Sequence, residues 1–132
     1  MRACAPYANV PPADGPIVTL ADGIAVKWPG EVTRPVVERY VDDIVVVEED
    51  SVADAMVLLM DRSKLYVEGG GAVGVSALIS GIVEPARTGS TCIVLSGGNV
   101  DLGIVPGLIR RNETKAGRRL IVFARISDRP GG

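Results

Sequence analysis

A short apolar run that breaks into glycines leaves few options for the chain around it. That run is Thr91-Cys92-Ile93-Val94-Leu95, followed by Ser96-Gly97-Gly98-Asn99-Val100-Asp101. It reads as a buried strand ending in a polar turn that opens a helix. In α/β proteins ligands settle in the crevice at the carboxyl ends of strands. Ser96 puts one hydroxyl into that turn, and the two glycines after it allow a ligand to approach the backbone.

The segments around the run support an α/β reading. Ile17 to Val26 is apolar with a turn at Asp22-Gly23. Glu31 to Val41 carries Val32, Val36, Val37 and Tyr40 at helical spacing, with Pro35 tolerable only in a first turn. Ile44 to Val47 is a β-branched run and predicts a buried strand. Glu48-Glu49-Asp50-Ser51 then supplies caps and first-turn acids for a helix that ends near Lys64. Leu65 to Glu68 reads as extended, and Ala72 to Ile82 as a helix buried against a sheet. A further helix is expected from about Asp101 to Arg111. The alternation of strands and helices predicts parallel strands joined by crossover helices, in three layers.

Both ends look different. Residues 1–16 hold four prolines and read as irregular. Residues 17–111 form the main body, and 112–117 is polar and ends in glycine, which suits a linker. Residues 118–132 give one strand and an Asp128-Arg129-Pro130-Gly131 turn. A lone strand needs partners for its backbone groups, so this tail reads as the start of a further domain.

Composition removes several function classes. The 132 residues contain no histidine, which excludes histidine triads and histidine metal ligands within this chain. A net charge of −2 and 4% aromatics speak against nucleic-acid binding by charge or by base stacking. Cys4 and Cys92 suggest neither a disulfide framework nor a zinc site, and Cys92 reads as a small buried hydrophobe. No signal peptide and no membrane span are visible, so a cytoplasmic location is expected.

Three motifs could carry chemistry. Gly69-x-Gly71-x-x-Gly74 formally matches a dinucleotide fingerprint, but the acidic residue expected about 20 positions on is missing. Close helix–sheet packing explains these glycines better. Glu68, directly before them in an apolar context, is either an edge residue or aimed into a site. Ser96-Gly97-Gly98-Asn99 is either an anion cradle or a tight turn with Asn99 as a cap. Asp42-Asp43 and Glu48-Glu49-Asp50 read as turn and cap residues, not metal ligands. Of the three lysines, only Lys27 has a context that suggests burial.

Four stretches taken together resemble the threonine ammonia-lyase family, which includes threonine dehydratases and has serine racemase as a close relative. They are Leu20-Ala21-Asp22-Gly23-Ile24-Ala25-Val26, Tyr40-Val41-Asp42-Asp43-Ile44, Val67-Glu68-Gly69-Gly70-Gly71-Ala72 and Leu95-Ser96-Gly97-Gly98-Asn99-Val100-Asp101. The resemblance covers residue 19 to about 111, and Leu120 to Gly131 resembles the first strand of an ACT-like regulatory domain. It implies part of the large domain of a fold type II enzyme, dependent on pyridoxal phosphate, that removes ammonia from threonine or serine by β-elimination.

By that resemblance Ser96 hydrogen-bonds the cofactor's pyridine nitrogen. A neutral hydroxyl leaves that nitrogen unprotonated and makes the cofactor a milder electron sink. Glu68 and Gly97 lie at the same edge of the ring, and the Asp22-Gly23 loop lines the pocket beside it. The family's Schiff-base lysine and phosphate loop lie upstream of the matched region, and no lysine here stands in a matching motif. The position of the family's glutamate metal ligand falls on Ala5, so no metal site is expected. The chain is therefore expected to be inactive alone, with a complementary N-terminal half or a homo-oligomer as candidate partners. The alternatives are a non-catalytic truncated chain and a nucleotide-binding domain built on Gly69 to Gly74.

Overall fold

In a computed structural model, residues 18–26 and 30–126 are described. The expected irregular segment 1–16, Cys4, Ala5, Lys27 and the turn at 128–131 lie outside them. The chain divides into two compact units, residues 1–100 and 101–132.

The first unit is built on two helices. Helix α1, Thr33–Tyr40, precedes them and buries no residue. It is held locally: Thr33 Oγ1 and the Arg34 N–H donate to the Gly30 carbonyl at 3.1 and 2.9 Å. Arg34 pairs with Glu38 one turn on at 2.8 Å. Pro35 falls in the first turn, where its missing N–H is harmless.

Helix α2, Glu49–Leu58, starts with Glu49 and Asp50 in its first turn, where carboxylates complement the helix dipole. It buries Val52, Ala53, Ala55 and Met56. It runs into a π-helical turn, Leu59–Ser63, and ends at Lys64 in the left-handed region with φ 59°. Lys64 takes the place that glycine usually fills after a helix.

Helix α3, Gly69–Ile79, buries Gly69, Gly71, Ala72, Ser76 and Ala77 and packs against α2. Met56 is the largest side chain at full burial, with 2% exposure, and the small residues of α3 make room beside α2. The helix begins three residues before the expected Ala72. Three consecutive glycines are poor helix formers. They are used here because other backbone comes too close for a side chain. A Cβ at Gly69 would collide with the Leu20 carbonyl, one at Gly71 with the Ser96 carbonyl, and one at Gly74 would lie 2.6 Å from Ile93 Cγ2. Ser80 closes the helix by donating to the Ser76 carbonyl at 2.7 Å.

The expected parallel sheet is not formed among the described residues. Residues 44–47, 65–68, 90–100 and 119–126 form neither helix nor paired ladder. The physical reason lies in the unpartnered backbone. Among the described residues, no backbone hydrogen bond joins one of these segments to another except Glu68 N–H to the Gly97 carbonyl, at 3.0 Å. The predicted burial of two of them fails with the sheet. Val46 is 73% exposed and Val94 79% exposed, and Cys92 is exposed, not buried.

The second unit contains helix α4, Val105–Lys115, with Pro106 in its first turn. It starts later than the expected Asp101. Asp101 instead caps a turn, its Oδ1 accepting from the Gly103 N–H at 2.8 Å and its carbonyl from the Ile104 N–H at 3.1 Å. Residues 112–115 belong to the last turn of α4. Glu113 and Arg118 close that end through three side-chain hydrogen bonds of 2.7 to 3.1 Å. Beyond it Leu120, Val122, Phe123 and Ile126 are exposed.

Candidate functional site

The site is assembled where the amino end of α3 meets two turns. Glu68 is the N-cap residue of α3, with extended backbone at φ −64° and ψ 161°. Its carbonyl accepts the Gly71 and Ala72 N–H groups, both at 3.0 Å, and its own N–H donates to the Gly97 carbonyl at 3.0 Å. The backbone of Glu68 is thus fixed from both sides, which fixes where its side chain can start.

That side chain lies between two glycines. A Cβ built on Gly23 would sit 3.3 Å from Glu68 Oε1, and one built on Gly97 would collide with the Glu68 carboxyl group. Gly97 also has φ 77°, a conformation that L side chains rarely adopt. The turn at Gly97 therefore needs glycine, and a side chain at Gly23 would press on the carboxylate. Ser96 precedes Gly97 and is pinned by its own carbonyl, which lies against Gly71.

The structure thus brings together all four residues singled out in the sequence: Gly23, Glu68, Ser96 and Gly97. Glu68 is half-buried and the other three are exposed. Among the described residues, neither the Glu68 carboxylate nor the Ser96 hydroxyl has a hydrogen bond or ion pair. The Glu68 carboxylate thus occupies the space beside Gly97 that a side chain would otherwise fill, and the Ser96 backbone lies alongside Gly71.

The fingerprint glycines have another use. Gly69, Gly71 and Gly74 each face neighbouring chain atoms, so they serve packing. Among the described lysines, Lys64 is exposed and engaged with Asp61, 4.0 Å from its Oδ1, and Lys115 lies in α4. Among the described residues no three His, Cys, Asp or Glu side chains cluster to hold a metal. No helix among them is long and apolar enough to cross a membrane.

One contributor escaped the sequence reading. Glu49, expected only as a first-turn acid, accepts from Thr19 Oγ1 at 2.7 Å through one oxygen and from the Leu20 N–H through the other. Thr19 Oγ1 in turn accepts from the Ala21 N–H at 3.1 Å. This clasp immediately precedes the turn that carries Gly23. No local pattern announces a contact across about thirty residues, although a threonine just before a glycine turn was a usable signal.

The pyridoxal-phosphate dependent enzyme family matches residues 3–97. The chain belongs to that family, whose cofactor is pyridoxal phosphate. Among curated relatives, it is 42% identical over 113 residues to L-threonine ammonia-lyase of Thermotoga maritima, covering 86% of this chain and 28% of the relative. It is 46% identical over 114 residues to the L-threonine ammonia-lyase of Geobacter sulfurreducens, with the same coverage. Among solved structures, a threonine deaminase from T.th. superposes with a TM-score of 0.60 at 35% identity, covering 70% of this chain and 33% of that one. Maize serine racemase superposes with a TM-score of 0.56 at 34% identity, covering 76% and 31%. The chain thus spans a little over a quarter of the length of the curated relatives it matches.

Proposed function

We propose that this chain supplies one wall of the cofactor pocket of a fold type II ammonia-lyase that acts on threonine or serine. The observation that carries the reading is the convergence of Gly23, Glu68, Ser96 and Gly97 at one point. Gly23 and Gly97 admit the Glu68 carboxylate between them, and among the described residues neither it nor the Ser96 hydroxyl is engaged by a hydrogen bond or ion pair. Those features fit the nitrogen edge of pyridoxal phosphate. The names of the relatives support ammonia loss from threonine as the reaction.

When bound, the cofactor supplies an electron sink for charge that develops at the substrate's α-carbon. The chain's own residues orient that sink. Ser96 offers a neutral hydroxyl to the ring nitrogen, so it holds the ring without forcing a proton onto it. Gly23 and Gly97 let the Glu68 carboxylate and the ring edge come together. The lysine that bonds the cofactor and the loop that holds its phosphate belong to the remainder of the family's catalytic fold. In this reading, the extended segments 44–47 and 90–95 find their sheet partners in that remainder. The chain is then a non-catalytic portion until it associates with it.

The test is an assay of 2-oxobutanoate from threonine with added pyridoxal phosphate. The 132-residue chain alone gives no turnover. Co-expressed with the rest of the catalytic domain of the Thermotoga maritima relative, it gives measurable turnover. Turnover by the chain alone, or none from a co-purified complex, overturns the proposal.

A further inference from the structure

The wall of the candidate site is made from segments far apart in sequence, and something must hold the Gly23 turn against Glu68. The 3-10 turn Asp22–Ile24 is only three residues long and buries none of them. Ile24 lies over Gly70 of α3 but remains exposed, so hydrophobic packing alone is a slight anchor for the turn. What precedes it is gripped. The Glu49 carboxylate takes one donor on each oxygen, from Thr19 Oγ1 and from the Leu20 N–H. The Leu20 carbonyl then lies against Gly69, and the chain turns to bring Gly23 beside Glu68.

We propose that Glu49 is a positioning residue: by clasping Thr19 and Leu20 it fixes the Gly23 turn against Glu68 and so shapes one side of the candidate site. The importance of that side for catalysis rests on the functional reading above; the clasp itself does not. Three features fit the role. Glu49 is the first residue of α2, so its backbone is as rigid as the helix, and the helix dipole favours its negative charge. Helix α2 packs against α3, whose N-cap is Glu68, so the clasp and the carboxylate it serves share one frame. Hydrogen bonds to a carboxylate are among the stronger ones available, whereas the Asp22–Ile24 turn makes only local backbone bonds.

The Glu49 carboxylate bonds Thr19 and Leu20, not Gly23, Glu68, Ser96 or Gly97, so its removal should loosen the turn without touching the residues that would meet the cofactor. A Glu49→Gln side chain can still accept from the Leu20 N–H and can donate to Thr19 Oγ1, so it should restore much of the clasp. Thr19→Val removes one of the two donors and leaves Leu20 in place.

The test is amide hydrogen exchange on the full chain, read residue by residue at Leu20, Ala21 and Ile24, with Ala72 and Ala77 of α3 as internal references. In Glu49→Ala, exchange at the first three rises by about tenfold or more, the loss expected for hydrogen bonds to a charged group. The α3 references stay within about twofold. Thr19→Val gives a smaller rise at the same positions, and Glu49→Gln recovers most of the protection. Unchanged exchange at Leu20 in Glu49→Ala overturns the proposal. So does an equal rise at Ala72 and Ala77, which would mean that Glu49 merely stabilises the whole unit. The exchange pattern needs no cofactor. Failure of the functional reading therefore appears only in the turnover assay, and failure of the clasp only here.

Discussion

Within the first unit, the packed helices and the extended runs obey opposite logics. Helices α2 and α3 pack together, with Met56 of α2 and the small residues of α3 buried between them. The runs at 44–47 and 90–95 have the more apolar sequences, yet Val46 and Val94 are largely exposed. The difference lies in where backbone hydrogen bonds come from. A helix satisfies its own N–H and C=O groups, so two helices need only each other. A strand satisfies none of its own and waits for a neighbour. The candidate site lies where the two kinds of structure meet: Glu68 and Gly71 come from the helical side, Ser96 and Gly97 from the extended side.

The largest expected effect sharpens that contrast from the helical side. Met56→Ala empties the best-buried position between α2 and α3 and should destabilise the chain by about 2–5 kcal/mol in a denaturant titration. Gly71→Ala follows, because the added methyl would occupy the place of the Ser96 carbonyl. Overpacking of this kind costs about 1–3 kcal/mol or more, and it should also displace Ser96. Val94→Asp works from the extended side. In the chain alone it should change stability by no more than about 0.5 kcal/mol, because an exposed side chain loses little. In the complemented enzyme it should abolish association, read by co-purification. A large destabilisation of the chain alone would break the comparison.

The smallest effect falls in the second unit, outside the contrast. Glu113 is held below the usual carboxylate range chiefly by the hydrogen bond from Arg118; desolvation opposes this, and the Arg118 charge adds a lesser lowering contribution. Its contribution to the closure of α4 is therefore present above the ordinary carboxylate range and fades as pH falls through the lowered value. An NMR titration of the Glu113 side chain should show the depressed midpoint, and Arg118→Ala should return it toward the ordinary range.

Much of this organisation was legible in the sequence. The acids before Ser51 marked the start of α2. The motif set singled out Gly23, Glu68, Ser96 and Gly97, and the structure places them near one another, while their role as a cofactor site is part of the proposal. The start of α3 was less legible, since glycine's low propensity argues against helix at Gly69 to Gly71 and only close approach of other backbone reverses it. The burial of residues 44–47 and of Cys92 was misjudged, because apolar composition reports what a segment can bury and not whether its neighbours are present. The Glu49 clasp was invisible to local patterns, since its two sides are about thirty residues apart.

The central claim is that Ser96 faces the cofactor from this wall. Cofactor affinity of the complemented enzyme, with and without Ser96→Ala, tests it most directly. Ser96 is exposed, so the substitution should leave the fold intact. Loss of one hydrogen bond to the ring nitrogen should weaken pyridoxal phosphate binding by about three- to tenfold in a fluorescence titration. Equal affinity in the two proteins would contradict the account.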